Sequence, residues 1–356
     1  QHALTAVALV NPGLRLRLLG RGLRARWRSD GAPPRLRLVA DCTWDGKSDV
    51  GADFIRALPL SLADGPGVEL IVATTPATAP PRTLVILRVL HAVMDGRGIL
   101  HALAELFRAL RGEALVGTNA GFSDVDLMRA QRVKKVASPR LATMALTGAP
   151  EGVARGDTWQ RIRLRGRFRD LLPRVAVAAA NFAHQHSSLP AVIAVPVDLR
   201  RHLPGLNSTL IFSSMVRVPL HPGEGADHFR RRLARLLRHR MDAYYAPGAD
   251  YLKLLPLTWM DYLLSRRAAN YTTKAAPETV LIASMGDLDA QAVICPGFSL
   301  DGLFGVPVGS TNCGLIGMGD QLDIIVGTSR ILAGNGRLDA FLTYLERQLR
   351  NPSPPP

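Results

Sequence analysis

Residues 83–98 read TLVILRVLHAVMDGRG, and this stretch decides the fold. Its first eight residues are apolar enough to form a strand inside a sheet. Asp95 and Gly96 form an Asp-Gly pair, which predicts a tight turn directly after the strand. From Ile99 to Leu110 apolar side chains recur at helical spacing, so we predict an amphipathic helix after the turn.

Strand-like and helix-like patterns recur in both halves of the chain, separated by a weakly patterned stretch at 112–157. They predict an α+β (mixed α/β) fold of two lobes, an N-terminal lobe at 1–145 and a C-terminal lobe at 146–356. We expect one helix to span 227–244. We expect the glycine-rich stretch to form turns, since it lacks a phosphate-binding motif; its members are Gly305, Gly309, Gly314, Gly317 and Gly319.

The composition limits the class of protein. With 356 residues, of which 47% are hydrophobic, the chain can form one large domain or two ordinary ones. No stretch of 18 uncharged apolar residues occurs, and the first residues do not resemble a signal peptide. Cys42, Cys295 and Cys313 are far apart, which indicates neither a disulfide framework nor a zinc site. We therefore expect a cytoplasmic protein without a metal.

The net charge of +15 is the most pronounced compositional feature, and nearly all the basic residues are arginines. A basic surface attracts nucleic acid, anionic lipid or acidic proteins. The arginines alternate with apolar residues and no zinc-finger or RNA-binding motif accompanies them, so we expect no nucleic acid partner. Two readings stay open: the arginines only solvate the surface, or those at 161–169 attract an acidic partner.

His91, at the end of the predicted buried strand, belongs to the motif HxxxDG at 91–96. A neutral imidazole can accept a proton near neutral pH, so His91 is a candidate general base. A histidine between a strand and a turn is also common as a purely structural residue.

The motif resembles the HHxxxDG signature of the chloramphenicol acetyltransferase-like superfamily, nearest to condensation domains of nonribosomal peptide synthetases and polyketide-associated acyltransferases. Looser matches follow in the family's order. They are LVNPGLR at 9–15, PVDLRRHLP at 196–204, the strand-like segment 207–220 and SMGDL at 284–288. One departure is that Leu90 occupies the place of the first histidine; the second, His91, is the catalytic one in the family.

The resemblance implies two lobes in a V shape with the active site in a tunnel between them. It also implies that a segment near 285–320 crosses back to the N-terminal lobe.

The resemblance further implies roles for individual residues. His91 would take a proton from an amine or alcohol that attacks a thioester, and the backbone N–H of Gly96 would polarise the thioester oxygen. Asp95, grouped with these two in the catalytic motif, would hold the turn through a salt bridge to Arg200. Candidate substrate-binding residues are Asn207, Ser213, Ser214 and Ser284. His202 is expected at a surface turn, with a place in the channel as the alternative.

The predicted function is therefore acyl transfer by a condensation-type enzyme in natural-product biosynthesis, forming an ester or amide without an acyl-enzyme. The donor would carry phosphopantetheine, as an acyl or peptidyl carrier protein or as acyl-coenzyme A, and no cofactor would stay bound. We expect a monomer that does not associate with membranes. The alternative is a catalytically silent module of the same fold that recruits carrier proteins or tailoring enzymes.

Overall fold

The computed structural model describes residues 1–20, 24–63, 65–134, 143–256, 258–263, 265–266, 278–306 and 311–350. The helices are α1 (His2–Val10), α2 (Asp53–Arg56), α3 (Gly96–Leu110), α4 (Asp124–Gln131), α5 (Leu171–Ala183), α6 (Ala226–Arg238), α7 (Arg330–Ala333) and α8 (Arg337–Arg350). The strands are β1 (Arg17–Leu19), β2 (Arg26–Arg28), β3 (Arg35–Val39), β4 (Val68–Thr74), β5 (Thr83–Val89), β6 (Asp157–Arg165), β7 (Ala191–Asp198), β8 (Ser213–Leu220), β9 (Val280–Asp287), β10 (Asn312–Met318) and β11 (Gln321–Ser329). Short 3₁₀ helices connect several of them.

The strands of the described residues form three sheets. The largest has the order β6-β11-β10-β9-β7-β8, the second has the order β3-β4-β5, and β1 pairs with β2. β9 is parallel to both β7 and β10, whereas the other pairs of the large sheet are antiparallel. Sheets of mixed direction with helices packed beside them confirm the predicted α+β class.

The main hydrophobic core lies between the large sheet and α5, α6 and α8. Phe229 of α6, Phe341 of α8 and Ile193 of β7 are fully buried in it. A second, smaller core packs α1 and α3 against β4 and β5 and includes Val7, Val68, Met94 and Ala102. The buried apolar face of α3, predicted from its spacing, therefore contacts the three-stranded sheet.

Described residues of both halves of the chain meet in many places, and three of these contacts are described first. Trp44 packs on Trp159 of β6 with ring centroids 6.0 Å apart, and Phe298 packs on Phe107 of α3 at 5.4 Å. The third contact joins the HxxxDG turn to the segment after β7. Residues 298–304 thus contact elements from the first 145 residues; the division of the chain at residue 145 stays a prediction.

Three predictions about secondary structure are wrong. β5, expected inside a sheet, is an edge strand whose residues are half-buried or exposed. Gly314 and Gly317, expected in turns, lie in β10, which pairs with β9 on one side and β11 on the other. Pairing on both sides outweighs the low strand propensity of glycine, and Gly309 lies outside the described residues. The helix expected at 227–244 ends at Arg238, since Arg240 has a positive φ of 53° and a 3₁₀ helix follows at Met241–Ala243.

Among the described residues, no helix is long and apolar enough to cross a membrane.

Candidate active site

β5 and α3 present the HxxxDG turn between them. After β5 the backbone N–H of Leu90 donates to Gly67 O at 3.1 Å, and Val93 N donates to Leu90 O at 2.8 Å, which closes a tight turn. Asp95 is the N-cap of α3 and accepts from Gly98 N at 2.7 Å. Aspartate is a preferred N-cap because its side chain satisfies one of the free N–H groups of the first turn. The local sequence thus places the helix start directly after the turn.

His91 is exposed, and its Nδ1 lies 2.9 Å from the carbonyl oxygen of Met94. A carbonyl oxygen can only accept, so Nδ1 carries the hydrogen in this contact. In the neutral ring this leaves the lone pair on Nε2, which makes no hydrogen bond with a described residue. The turn therefore selects the tautomer in which Nε2 can act as a base.

Asp95 is 2% exposed, and both of its carboxylate oxygens are occupied. Oδ1 accepts from Gly98 N and from Arg200 at 3.3 Å, and Oδ2 accepts from Arg200 at 3.1 Å and from Phe212 N at 2.7 Å. Four hydrogen bonds, two of them from a guanidinium, fix the orientation of this buried carboxylate. Asp95 is therefore a positioning residue that joins the start of α3 to the chain around residues 200 and 212.

Arg200 reaches Asp95 from the 3₁₀ helix Leu199–His202, which directly follows β7. Its guanidinium also donates to Asp198 Oδ1 at 3.0 Å and to the carbonyl oxygens of Ser208 and Leu210 at 3.0 and 2.7 Å. The planar, multi-donor guanidinium suits this arrangement, which a lysine could not reproduce. The structure thus contains the ion pair expected between the two halves of the chain.

Two glycines allow close packing around the turn. A Cβ on Gly98 would collide with the carbonyl oxygen of Thr209, and a Cβ on Gly96 would collide with Cε of Met285 in β9. Gly96 is the first residue of α3, where a backbone N–H has no acceptor within the helix. Gly96 therefore has a backbone N–H without an acceptor in α3, and the side chain of Met285 packs against the same residue.

The other candidate substrate-binding residues lie on separate elements. Ser213 and Ser214 begin β8 and are half-buried, and Ser284 of β9 is exposed beside Met285. Their hydroxyls make no hydrogen bond with any described residue. The backbone of Asn207 instead fixes residues 118 and 119, since its carbonyl accepts from Thr118 Oγ1 at 2.9 Å and from Asn119 N at 3.0 Å. A role in substrate binding stays a prediction for all four.

His202 is not at a solvated surface turn, so that expectation is wrong. Its Nε2 lies 2.7 Å from Oδ2 of Asp242, whose side chain is fully buried, and Arg201 Nε is 3.3 Å from the same oxygen. Asp242 was missed by the sequence reasoning, because a single aspartate after an arginine-rich helix has no distinguishing pattern. The same holds for Met285, whose place beside Gly96 depends on the path of β9.

The arginines of β6 are not all available to an acidic partner, contrary to one of the two readings of 161–169. Arg161 and Arg163 both contact the buried carboxylate of Asp323, at 2.8 and 3.1 Å. Arg161 also lies over the ring of Phe304, 4.0 Å from its centroid. These two guanidinium groups are paired with a carboxylate of the protein itself, whereas Arg165, Arg167 and Arg169 are exposed.

The three cysteines are free thiols, and Cys42 and Cys313 are buried. Burial raises the pKa of the Cys313 thiol to about 12, because the thiolate would be poorly solvated there. Within the described part of the chain, no three His, Cys, Asp or Glu side chains lie close enough to hold a metal ion.

Neither the comparison with protein-family models nor the comparison with curated proteins gives a match. Solved structures do match over nearly the whole chain. The first condensation domain of the calcium-dependent antibiotic synthetase, in complex with a substrate analogue, has a TM-score of 0.64 at 21% identity, covering 99% of this chain and 88% of that one.

A mutant of the starter condensation domain of rhizomide synthetase, in complex with C8-CoA, has a TM-score of 0.64 at 17% identity and covers 98% of this chain and 84% of that one. The epimerization domain from the third module of tyrocidine synthetase B has a TM-score of 0.57 at 15% identity, with coverages of 98% and 86%. At these identities the likeness shows the fold alone. The chain therefore has the condensation-domain fold that its HxxxDG motif predicted.

Proposed function

We propose that this protein is a condensation-type acyltransferase. It would transfer an acyl group from a thioester, on a carrier protein or on coenzyme A, to an amine or alcohol. The observation that carries the proposal is the state of His91: Met94 O fixes its tautomer, and Nε2 is free. Two of the structural neighbours add support, since one is bound to C8-CoA and another to a substrate analogue.

The reaction needs one base and one donor. The lone pair of the acceptor nitrogen or oxygen attacks the thioester carbonyl while Nε2 of His91 takes its proton. The oxyanion that forms would accept a hydrogen bond from Gly96 N–H at the positive end of α3. Collapse of this intermediate breaks the C–S bond, and the departing thiolate takes the proton back from the imidazolium. The product is an amide or ester, with no acyl-enzyme.

Asp95 and Arg200 take no part in proton transfer in this mechanism. Asp95 caps the first turn of α3, and its bonds to Arg200 and Phe212 N tie that turn to the chain around residues 200 and 212. Gly96 N–H and Nε2 of His91 are therefore held in one rigid turn. Preorganised groups of this kind stabilise a transition state without reorganising during the reaction.

To test this proposal, the protein is incubated with octanoyl thioesters of coenzyme A, of N-acetylcysteamine and of a panel of carrier proteins as donors. Pools of amines and alcohols serve as acceptors. Products and unloaded carriers are followed by mass spectrometry. His91→Ala should lower turnover by about 10²–10⁴-fold, the usual contribution of a general base, and leave the folded structure intact.

His101→Ala is the matched control, because His101 lies in α3 and its Nε2 bonds to Gly117 O at 3.1 Å, away from the turn. It should retain turnover. Wild-type turnover in His91→Ala would eliminate His91 as the base. Carrier binding without transfer from any donor would favour the silent recruitment module, for which the replacement of the first motif histidine by Leu90 is the one supporting observation.

A further inference from the structure

α6 (Ala226–Arg238) carries an unusual concentration of arginines on a helix that also has a buried apolar face. Phe229 is fully buried, and Leu233 and Leu236 pack against the main core. No large apolar side chain of α6 is exposed among the described residues. The apolar face is therefore occupied by the protein itself, and only a polar face is presented to solvent.

The arginines of α6 fall into two groups. Arg230 contacts Asp170 at 3.0 Å and also Asp227, and Arg232 contacts Glu224 Oε1 at 2.6 Å. The second group is Arg231, Arg235 and Arg238, which are exposed. Within the described part of the chain, their guanidinium groups make no hydrogen bond or ion pair. These three positive charges are thus left for solvent or for a partner.

The three free arginines lie on one line along the helix. Their spacing of four and then three residues places them on one face, and with a rise of 1.5 Å per residue the line is about 10 Å long. A helix with acidic side chains at the same spacing would place one carboxylate opposite each guanidinium. This arrangement fits an acidic helix better than a single small anion.

The side chains of α6 argue against two other kinds of partner, a membrane and a single-stranded nucleic acid. A helix that binds a membrane inserts its apolar face, and the apolar face of α6 is packed against the core. A single-stranded nucleic acid is bound by basic residues together with aromatic side chains for stacking, and the exposed face of α6 has no aromatic residue.

The C-terminal end of α6 is linked by direct contacts to the HxxxDG turn. The guanidinium of Arg201 donates to Leu237 O at 2.9 Å, in the last turn of α6. Its neighbour Arg200 holds Asp95 at 3.1 Å. A molecule docked on Arg231, Arg235 and Arg238 would therefore contact a helix that hydrogen bonds join to the candidate active site.

We propose that Arg231, Arg235 and Arg238 form the docking surface for an acidic helix of the carrier protein that delivers the acyl donor. This inference rests on the proposed function and names the partner of the same site. In 161–169, by contrast, Arg161 and Arg163 are held by Asp323, and only Arg165, Arg167 and Arg169 are exposed.

The test measures binding and turnover separately on the full chain. The triple variant Arg231→Glu, Arg235→Glu and Arg238→Glu is compared with wild type by fluorescence anisotropy, using labelled acyl-carrier proteins as probes. We expect affinity to fall by at least about tenfold, and the wild-type affinity itself to weaken as salt is raised from about 50 to 500 mM. Turnover of the octanoyl ester of N-acetylcysteamine should not change, because this donor has no carrier.

The matched control reverses three exposed arginines that lie far apart in sequence and make no ion pair with described residues, namely Arg26, Arg155 and Arg347. It lowers the net charge by the same amount. We expect its carrier affinity to change by less than about threefold. The alanine versions of the three α6 substitutions keep good helix formers in the helix and should give an intermediate loss, which excludes misfolding as the cause.

Equal weakening by the two triple variants would overturn the proposal, since net charge alone would then explain the binding. The docking proposal would also be overturned if no carrier protein bound while esters of coenzyme A or N-acetylcysteamine were turned over. In that case the protein would still be an acyltransferase, with free thioesters as its donors. Carrier binding that depends on α6 without any acyl transfer would support the docking surface and contradict the enzymatic function. Loss of binding to RNA or to anionic vesicles in place of carrier proteins would identify a different partner.

Discussion

Replacing Asp95 by Asn tests whether the buried ion pair holds the candidate active site. The substitution keeps the size of the side chain and one oxygen, which can still cap α3 through Gly98 N. It turns the other oxygen into an NH₂ group. That donor would face the N–H of Phe212 or the guanidinium of Arg200, which are donors themselves and now lie 2.7 and 3.1 Å from Oδ2.

The expected loss in free energy of unfolding depends on the contacts that Arg200 retains in the variant. Leaving a buried charge without its partner costs about 3–5 kcal/mol. Arg200 keeps Asp198 and the carbonyl oxygens of Ser208 and Leu210, and its side chain is 12% exposed, so part of its charge stays solvated. We therefore expect Asp95→Asn to lower the free energy of unfolding by about 3 kcal/mol, the lower end of that range.

Urea unfolding followed by circular dichroism measures the effect as a shift in midpoint at constant slope. Asp198→Asn is the control: it removes another contact of Arg200, but its side chain is 34% exposed, so the loss should be less than about 1 kcal/mol. If the two variants were equally stable, or if Asp95→Asn matched wild type, the assignment of Asp95 as the buried clamp would be wrong.

Three further predictions concern charged and nucleophilic groups outside the site. Glu69 is fully buried and accepts hydrogen bonds from Arg35, Arg37 and Arg88; Glu69→Gln should lower the free energy of unfolding by about 3 kcal/mol in urea, and a loss below about 1 kcal/mol would contradict a buried ionic cluster. The hydrogen bond from Arg232 lowers the pKa of Glu224 to about 2, so ionised Glu224 stabilises the folded state above its unfolded pKa of about 4.5, and this contribution is lost as the pH falls towards 2. The stability difference between wild type and Glu224→Gln should therefore shrink over that pH range, whereas a constant difference would argue against the ion pair. Cys313, with its pKa of about 12, should resist iodoacetamide at about pH 8 in the native protein while the half-buried Cys295 reacts; peptide mapping that finds Cys313 alkylated first would refute its burial.

The chemistry of the site could be predicted from the sequence in part. The position of His91 between a strand and a helix follows from local pattern, and so does the N-cap role of an aspartate at a helix start. The burial of that strand was not predicted correctly, because β5 lies at the edge of its sheet. The tautomer of His91 could not be predicted, because it depends on the position of the Met94 carbonyl within the turn. The four hydrogen bonds that Asp95 accepts could not be predicted either, because one of the donors, the backbone N–H of Phe212, lies 117 residues further along the chain.

The arginines also differ in what the sequence can predict about them and what depends on the folded structure. Their number, and hence the basic character of the surface, is a property of composition. Which of them are free depends on where acidic partners lie after folding: Arg161 is bound by Asp323, 162 residues further along the chain, whereas Arg231 has no partner in the described residues. A one-dimensional pattern of basic residues cannot separate these two cases.

Secondary structure was predictable where hydrophobic periodicity is strong, as in α3, because burial of one face is encoded in neighbouring residues. β10 was missed, since its glycines carry no strand signal and its conformation comes from pairing with β9 and β11. Local pattern thus determined the strongly periodic elements, the fold class and the identity of the candidate base. Only the tertiary structure decided which distant groups clamp the turn and which arginines stay free, because hydrogen bonds and ion pairs between distant segments depend on positions that exist only in the folded chain.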